Sequence, residues 1–283
     1  MRVGEDGLRG CGVKAAIAAV VVVLVAVVVV VIVVSRGSDV ATPGCTVVTP
    51  KTAGQDEATQ YTLQPDQMSN AATIAAVASK EGLPPHAVTV ALATALQESK
   101  LRNLSGGDRD SVGLFQQRPS QGWGTPAQLQ DPVYAATAFY EKLAKLPGWE
   151  SLPITEAAQA VQRSGAPDAY AQWEPVARAA ANALTGQLPA ALTCRNITVG
   201  PARSNLVATA TAELGTARLS GAHPAAQGWA ISTWLVARAA TVGVDRVTFA
   251  GQAWTAESGA WTADASVGQN LTLHQVTAVP SSS

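Results

Sequence analysis

Charge, histidine, cysteine and aromatic residues are all scarce in this chain. Only 14% of its 283 residues are Asp, Glu, Lys or Arg, and the net charge is −1. An average soluble domain is about 25% charged. A balance so close to zero excludes a strongly basic nucleic-acid binder, which would carry an excess of Lys and Arg, so no nucleic acid is expected as a partner. The three His and three Cys are scattered along the chain, which leaves no ligand cluster for metal chemistry; neither a metal nor an organic cofactor is expected. Seven of the few aromatics are Trp against three Phe, so the Trp-bearing loops call for inspection as ligand contacts. The length allows one or two domains with their own cores.

What is abundant is Ala and Val, partly in one block. Residues 15–34 read AAIAAVVVVLVAVVVVVIVV, without a charge. Twenty apolar residues span about 30 Å of hydrocarbon as a helix. A secretory signal would have an apolar run of about 7–15 residues and a small-x-small cleavage site. This run is longer and ends in Ser35-Arg36-Gly37, so it reads as an uncleaved transmembrane anchor in the lipid bilayer. Arg2, Arg9 and Lys14 precede it and Arg36 alone follows closely, which puts residues 1–14 in the cytoplasm and the rest outside a single-pass plasma membrane protein. Cys45 and Cys194 are then exported, and they bracket one stretch of chain, so a disulfide between them is expected in an oxidising compartment.

The exported part divides by composition. Residues 35–68, rich in Thr, Pro, Gly, Asp and Gln, read as a spacer. Ordered structure is expected from Ser69-Asn70, an N-cap for a helix over Ala71 to Lys80. Further helices are expected over His86 to Ser99, Pro132 to Lys145, Thr155 to Ser164 and Pro167 to Leu184, with a functional loop at 100–131. Residues 69–185 thus form an all-α unit. Residues 186–204 read as a linker, and 205–279 as a small α+β unit, with helices at 205–214 and 225–242 and strands at Val244 to Phe249 and Leu271 to Val276; residues 280–283 are a tail.

Glu98 is the residue that carries chemistry. It ends a helix whose other members, Ala87 to Ala91 and Leu92 to Leu96, are nearly all apolar. A carboxyl leaving such a helix at the lip of a cleft is desolvated, which raises its pKa and suits it to protonate a glycosidic oxygen. The loop that follows sharpens this. Glu98-Ser99 is followed fifteen residues on by Gly113-Leu114-Phe115-Gln116-Gln117-Arg118-Pro119. The two blocks at that spacing resemble the signature of the soluble lytic transglycosylases within the lysozyme-like superfamily, with Phe115 in place of a Met. The resemblance extends to Asp131-Pro132, Tyr134, Phe139-Tyr140 and Leu143, and to Ala158–Ser164, where Val161 stands for a Tyr that supports the acid and Gln162 for an Asn. The runs Gln97–Ser99, Gly107–Ser111 and Gly113–Gly124 are similar to those of membrane-anchored lysozyme-like proteins of high-GC Gram-positive bacteria, which often carry names suggesting heavy-metal transport; a single span forms no transport path by itself.

The resemblance implies a mainly α lysozyme-like domain at 69–185 behind the membrane helix, and an enzyme that cleaves the glycan strands of peptidoglycan, as lytic transglycosylase or muramidase, with Glu98 as general acid/base. Ser99, Ser111, Gly113, Gln116, Gln117, Trp123 and Gln162 are the expected substrate contacts. Gly113 would let the backbone approach the acid and the sugar, Gln116 offers a donor and an acceptor to sugar hydroxyls and N-acetyl groups, and Trp123 either stacks on a sugar or closes its own loop. Asp108 and Asp110 are candidates for a second carboxylate that activates water; the alternative makes them turn residues or partners of Arg109. Arg118 either holds a peptide-stem carboxylate or pairs with one of these Asp residues. Residues 205–279 weakly resemble a domain related to zinc D,D-carboxypeptidases, degenerate here because His223 and His274 lack the further ligands. The rival reading is a non-catalytic glycan-binding or scaffolding protein of the cell envelope.

Overall fold

The computed structural model describes residues 42–50, 58–163 and 167–277. The expected cytoplasmic tail, the transmembrane segment 15–34 and the tail at 280–283 lie outside the described residues. Among the described residues no helix is long and apolar enough to cross a membrane. In chain order the elements are β1 (Gly44–Val48), β2 (Gln60–Leu63), α1 (Pro65–Lys80), α2 (Pro85–Ser99), α3 (Pro126–Leu129), α4 (Pro132–Leu143), α5 (Ile154–Gln162), α6 (Glu174–Leu184), β3 (Leu192–Arg195), α7 (Leu206–Leu214), α8 (Ala225–Val242), β4 (Val244–Phe249), β5 (Gln252–Thr255), β6 (Trp261–Ala263) and β7 (Thr272–Gln275). The fold is mixed α and β, with helices dominant and two small antiparallel sheets, ordered β2-β1-β3 and β6-β5-β4-β7.

The stretch read as a spacer, 35–68, is folded where it is described. β1 is the central strand of the first sheet; Cys45 and Val47 alternate inward and are fully buried. Cys45 lies directly opposite Cys194 in the β1–β3 register and the two form a disulfide. The residues read as a linker, 186–204, therefore supply β3. Helix α1 starts at Pro65, ahead of the expected Ser69-Asn70, because Gln64 and Gln67 form a reciprocal capping box: the Gln64 amide donates to Gln67 Oε1 at 2.8 Å. Asn70, freed from capping, lies inside α1 and donates to the Leu101 carbonyl at 2.8 Å.

Helices at 205–214 and 225–242 and strands near 244–249 and 271–276 form within a residue of where the sequence places them. They do not stand apart from the preceding helices. One hydrophobic core runs from Cys45 to Leu271. α8 packs against α1, α6, β3 and β4. Thr233 Oγ1 on α8 donates to the Ala183 carbonyl of α6 at 3.2 Å, and Trp261 Nε1 on β6 donates to the Leu192 carbonyl of β3 at 2.9 Å.

Helix α2 is what positions the acid. Every residue from Ala87 to Leu96 is buried, so the helix is apolar all round and runs through the middle of the helical layer against α5 and α6. It begins where Pro84-Pro85 forbids continuation from the preceding turn, and it ends abruptly: Lys100 and Leu101 both take left-handed φ, 56° and 58°. Two successive non-Gly residues in that region are costly and persist only when the surroundings fix them. Here Leu101 is buried, and Gln67 and Asn70 of α1 donate to the carbonyls of Lys100 and Leu101 at 2.7 and 2.8 Å.

Candidate active site

Glu98 emerges half-buried from the last turn of α2 into a cleft of about 490 Å³ that Ser111, Gln116, Arg118, Trp123 and Gln162 also line. Its carboxylate is held from the side by Tyr170, whose hydroxyl donates to Glu98 Oε1 at 2.9 Å, and by a hydrogen bond from the Gln162 side chain. The second Gln162 contact is a donation from Nε2 to the Phe115 carbonyl at 2.8 Å, which ties the end of α5 to the loop after α2. Burial pushes the Glu98 carboxyl above the usual range; the Tyr170 and Gln162 hydrogen bonds and the charge of Lys100 oppose it without cancelling it. This is the environment a general acid needs: protonated to higher pH than a free carboxyl, yet held in place when ionised.

Val161 stands where the resembled family has a supporting Tyr. Val161 instead faces the core with Ile154, Ala157 and Ala158, the i, i+3, i+4, i+7 stripe of α5. The phenol comes from Tyr170, fully buried in a 3₁₀ segment, Pro167–Trp173, that sequence patterning had merged into one long helix with α6. The available signal was a lone Tyr between Asp168 and Trp173, away from any apolar period. Its removal gives a signed prediction. The Tyr170 O–H stabilises the ionised carboxylate, so Tyr170→Phe raises the Glu98 pKa further. Titration of the Glu98 carboxyl followed by NMR should be displaced to higher pH in the variant; a titration unmoved or displaced downward would exclude this role.

The loop from Asn103 to Gln117 is built around one close approach. Gly113, at φ 80°, is not a window onto the sugar: a Cβ there would lie 2.2 Å from the Leu129 carbonyl oxygen. Its amide donates to the Leu104 carbonyl at 2.8 Å, pairing the two ends of the loop. Leu114 and Phe115 are fully buried, Phe115 stacking on Phe139 with centroids 4.8 Å apart, and Gln116 then turns outward at φ 48°. Gly113→Ala should cost about 2–4 kcal/mol, since the clash is with backbone and the φ is left-handed. Gly106→Ala, where the added methyl meets nothing within 4 Å, is the matched control in thermal unfolding. Gly107, next to it, was not singled out by sequence; a Cβ there would strike Gln116 Oε1, so its bare Cα makes room for the cleft's glutamine.

The expected substrate contacts divide. Ser111 donates to Gln116 Oε1 at 3.0 Å, and Gln116 Nε2 donates to the Gly113 carbonyl at 3.1 Å, so these two arm one another at the cleft wall. Ser99 is a correction. It is buried and its hydroxyl lies 2.6 Å from the Leu114 carbonyl, to which it donates, pinning the loop to the helix. Gln117 is another: it is buried, its Nε2 donates to the Ala135 carbonyl at 3.1 Å, and it faces α4. Trp123 lines the cleft but is only 7% exposed, and Lys142 Nζ sits 3.1 Å from its ring centroid, covering the face a sugar would need. Sequence alone cannot separate these cases because adjacent residues in an irregular loop point to opposite sides.

The two candidate second carboxylates also separate. Asp110 Oδ1 accepts from Arg118 Nε at 2.8 Å and from the Ser120 hydroxyl at 3.0 Å, and Oδ2 accepts from the Ser120 amide at 2.7 Å. These bonds hold its carboxyl well below the usual carboxylate range and occupy the atoms that would take a proton from water. Arg118 is thereby committed to Asp110. Asp108 lines the cleft, its side chain 92% exposed, with only a 3.9 Å approach to Arg109. On β7, His274 Nδ1 is 2.6 Å from Asp245 Oδ1, and His223 stands elsewhere with its Nε2 buried and unbonded. Among the described residues no three His, Cys, Asp or Glu side chains converge to hold a metal ion. Compared with protein-family models and with curated proteins, the chain matches none.

Proposed function

We propose that this chain is a lytic transglycosylase with a lysozyme-like helical core, cleaving peptidoglycan strands outside the membrane to which residues 15–34 anchor it. The observation that carries the reading is Glu98: one half-buried carboxyl, its pKa raised by burial, held by Tyr170 and Gln162 over an open cleft lined by amide and hydroxyl groups. Protonated Glu98 gives its proton to the glycosidic oxygen as the bond from C1 to that oxygen breaks. The resulting carboxylate takes the proton of the muramic C6 hydroxyl as its oxygen bonds to C1, which closes a 1,6-anhydro ring and returns Glu98 to its acid form. One acid/base completes both steps. Hydrolysis with inversion would need a second carboxylate about 6.5–9.5 Å away to activate water. Asp110 is bonded to Arg118 and Ser120, and Asp108 has no hydrogen bond to orient it, which favours the anhydro product over simple hydrolysis.

The test is the full chain in detergent with purified peptidoglycan, the released fragments being identified by mass spectrometry. Anhydro-muropeptides are expected. Reducing ends in their place would make the protein a muramidase and bring Asp108 forward. Retained glycan binding with no fragments would leave a glycan-binding envelope protein.

A further inference from the structure

Beside the acid cleft lies a second chamber of about 470 Å³ that shares Gln121, Trp123, Gln162 and Arg163 with it. Its far side has an unusual composition. Lys142 near the end of α4, Lys145 in the turn that follows, and Arg163, the left-handed residue capping α5, all line it, and no Asp or Glu does. Among the described residues no carboxylate comes within 4 Å of any of the three. The remaining wall, Leu146, Ala160 and Val161, is apolar. Three cations thus share one concavity with no counter-charge from the described residues.

That arrangement has a cost which the protein could have avoided. Lys142 is held over the Trp123 ring, so it is not free to swing into solvent away from its neighbours. Its pKa is depressed, first by burial and then by the charges of Arg163 and Lys145. Like charges gathered in a concave, partly apolar wall raise the local potential for an anion and are relieved when one binds.

We infer that this chamber is an anion subsite that receives a carboxylate of the peptide stem carried by the glycan strand in the acid cleft. The inference rests on the glycan-strand reading above. The sugars of such a strand are uncharged, and the anions nearest the scissile bond are the stem carboxylates borne on the lactyl group of the muramic residue. A strand seated at Glu98 would project that substituent out of the cleft, and the basic chamber lies just beyond the residues the two cavities share. Arg118, the other cation at the acid cleft, is already paired with Asp110, so the stem finds its unpaired cations on the other side of Trp123.

The experiment measures binding, so that it does not depend on cleavage. The full chain in detergent is titrated with glycan oligosaccharides that carry peptide stems, with the same oligosaccharides stripped of stems, and with stems whose carboxylates have been amidated. Stem-bearing glycan is expected to bind about 10-fold tighter than either of the others, and 0.5 M salt should erase most of that difference. Lys145→Gln should lose at least half of the preference while binding stripped glycan as the parent does; Lys142 is left in place because it covers the Trp123 ring, and Arg163 because it also lines the acid cleft. Lys145→Glu, at the same exposed position, is the second variant, and its opposite charge should erase the preference. Equal binding of all three ligands by the parent, or an equal loss for stripped and stem-bearing glycan in the variants, would overturn the subsite. Absence of cleavage with the preference intact would instead sink the enzymatic reading and leave the subsite standing.

Discussion

Glu98→Gln is expected to reduce strand cleavage by about 10²–10⁴-fold, the usual contribution of a general acid/base, without unfolding the protein. The amide keeps the shape and can still accept from the Tyr170 hydroxyl, but it has no proton to give. The stability of the variant supplies a second, independent reading with a definite sign. The folded-state pKa of Glu98 is raised, chiefly by burial. A group shifted this way contributes stability that is fully present below the unfolded pKa and is lost as pH rises through the folded pKa. The parent is therefore less stable at neutral pH than at low pH by what the raised pKa costs, and the variant is spared that loss. Glu98→Gln should melt at the same temperature as the parent or higher near pH 7, with the difference vanishing near pH 3, where both states of the parent are protonated. A variant that cleaves at the parent rate would exclude Glu98 as the acid; one that melts lower at pH 7 than at pH 3, relative to the parent, would show that its carboxylate is stabilised by its surroundings and not poised.

How much of this was readable beforehand depends on whether the causes are local. Helix α2 announces itself: an apolar run that begins at Pro84-Pro85 and carries Glu98 at its far end. Glu98, Gln116 and Gln162, singled out from sequence as site residues, line one cleft. β1 was not legible, because a five-residue Cys-Thr-Val strand acquires its identity from β3, whose Cys194 lies 149 residues further on. Tyr170 was missed for a related reason: its role depends on a 3₁₀ segment that no hydrophobic period marks. Gly113 was flagged for the wrong neighbour. Its lack of a side chain serves the Leu129 carbonyl, a partner that only the closed loop defines. Ser99 and Gln117 were flagged by adjacency to functional positions, and their side chains turn to the backbone of the loop and of α4. Patterns of sequence thus pointed to Glu98 and the loop beside it; which side chains face the cleft was decided by carbonyls awaiting donors.

The C-terminal residues, set apart when read from sequence, hold a buried ion pair between α7 and α8 that also reaches α1 through Thr73, and breaking it should have the largest effect on stability. Arg238 of α8 donates from Nε to Glu213 Oε2 at 2.9 Å and approaches Oε1 from Nη2 at 2.5 Å; it also donates to Thr73 of α1. Trp234 Nε1 completes the set, donating to Glu213 Oε2 at 2.8 Å. The Arg and Glu side chains are 11% and 7% exposed, so water cannot replace a lost partner. Arg238→Ala should therefore cost about 3–5 kcal/mol, a fall in Tm of about 10 °C for a chain of this size. The penalty lies mostly in the stranded Glu213, not in the absent arginine, and this makes two further results follow. Burial already pushes the Glu213 carboxyl up, and without Arg238 it rises further, so the variant's deficit should grow as pH increases from 5 to 8. Arg238→Ala combined with Glu213→Ala should be less destabilised than the sum of the single variants, because the double change removes the charge along with its partner. Additive effects with no pH dependence would mean that α8 is held by its apolar contacts alone, and that the pair is incidental to joining it to α7.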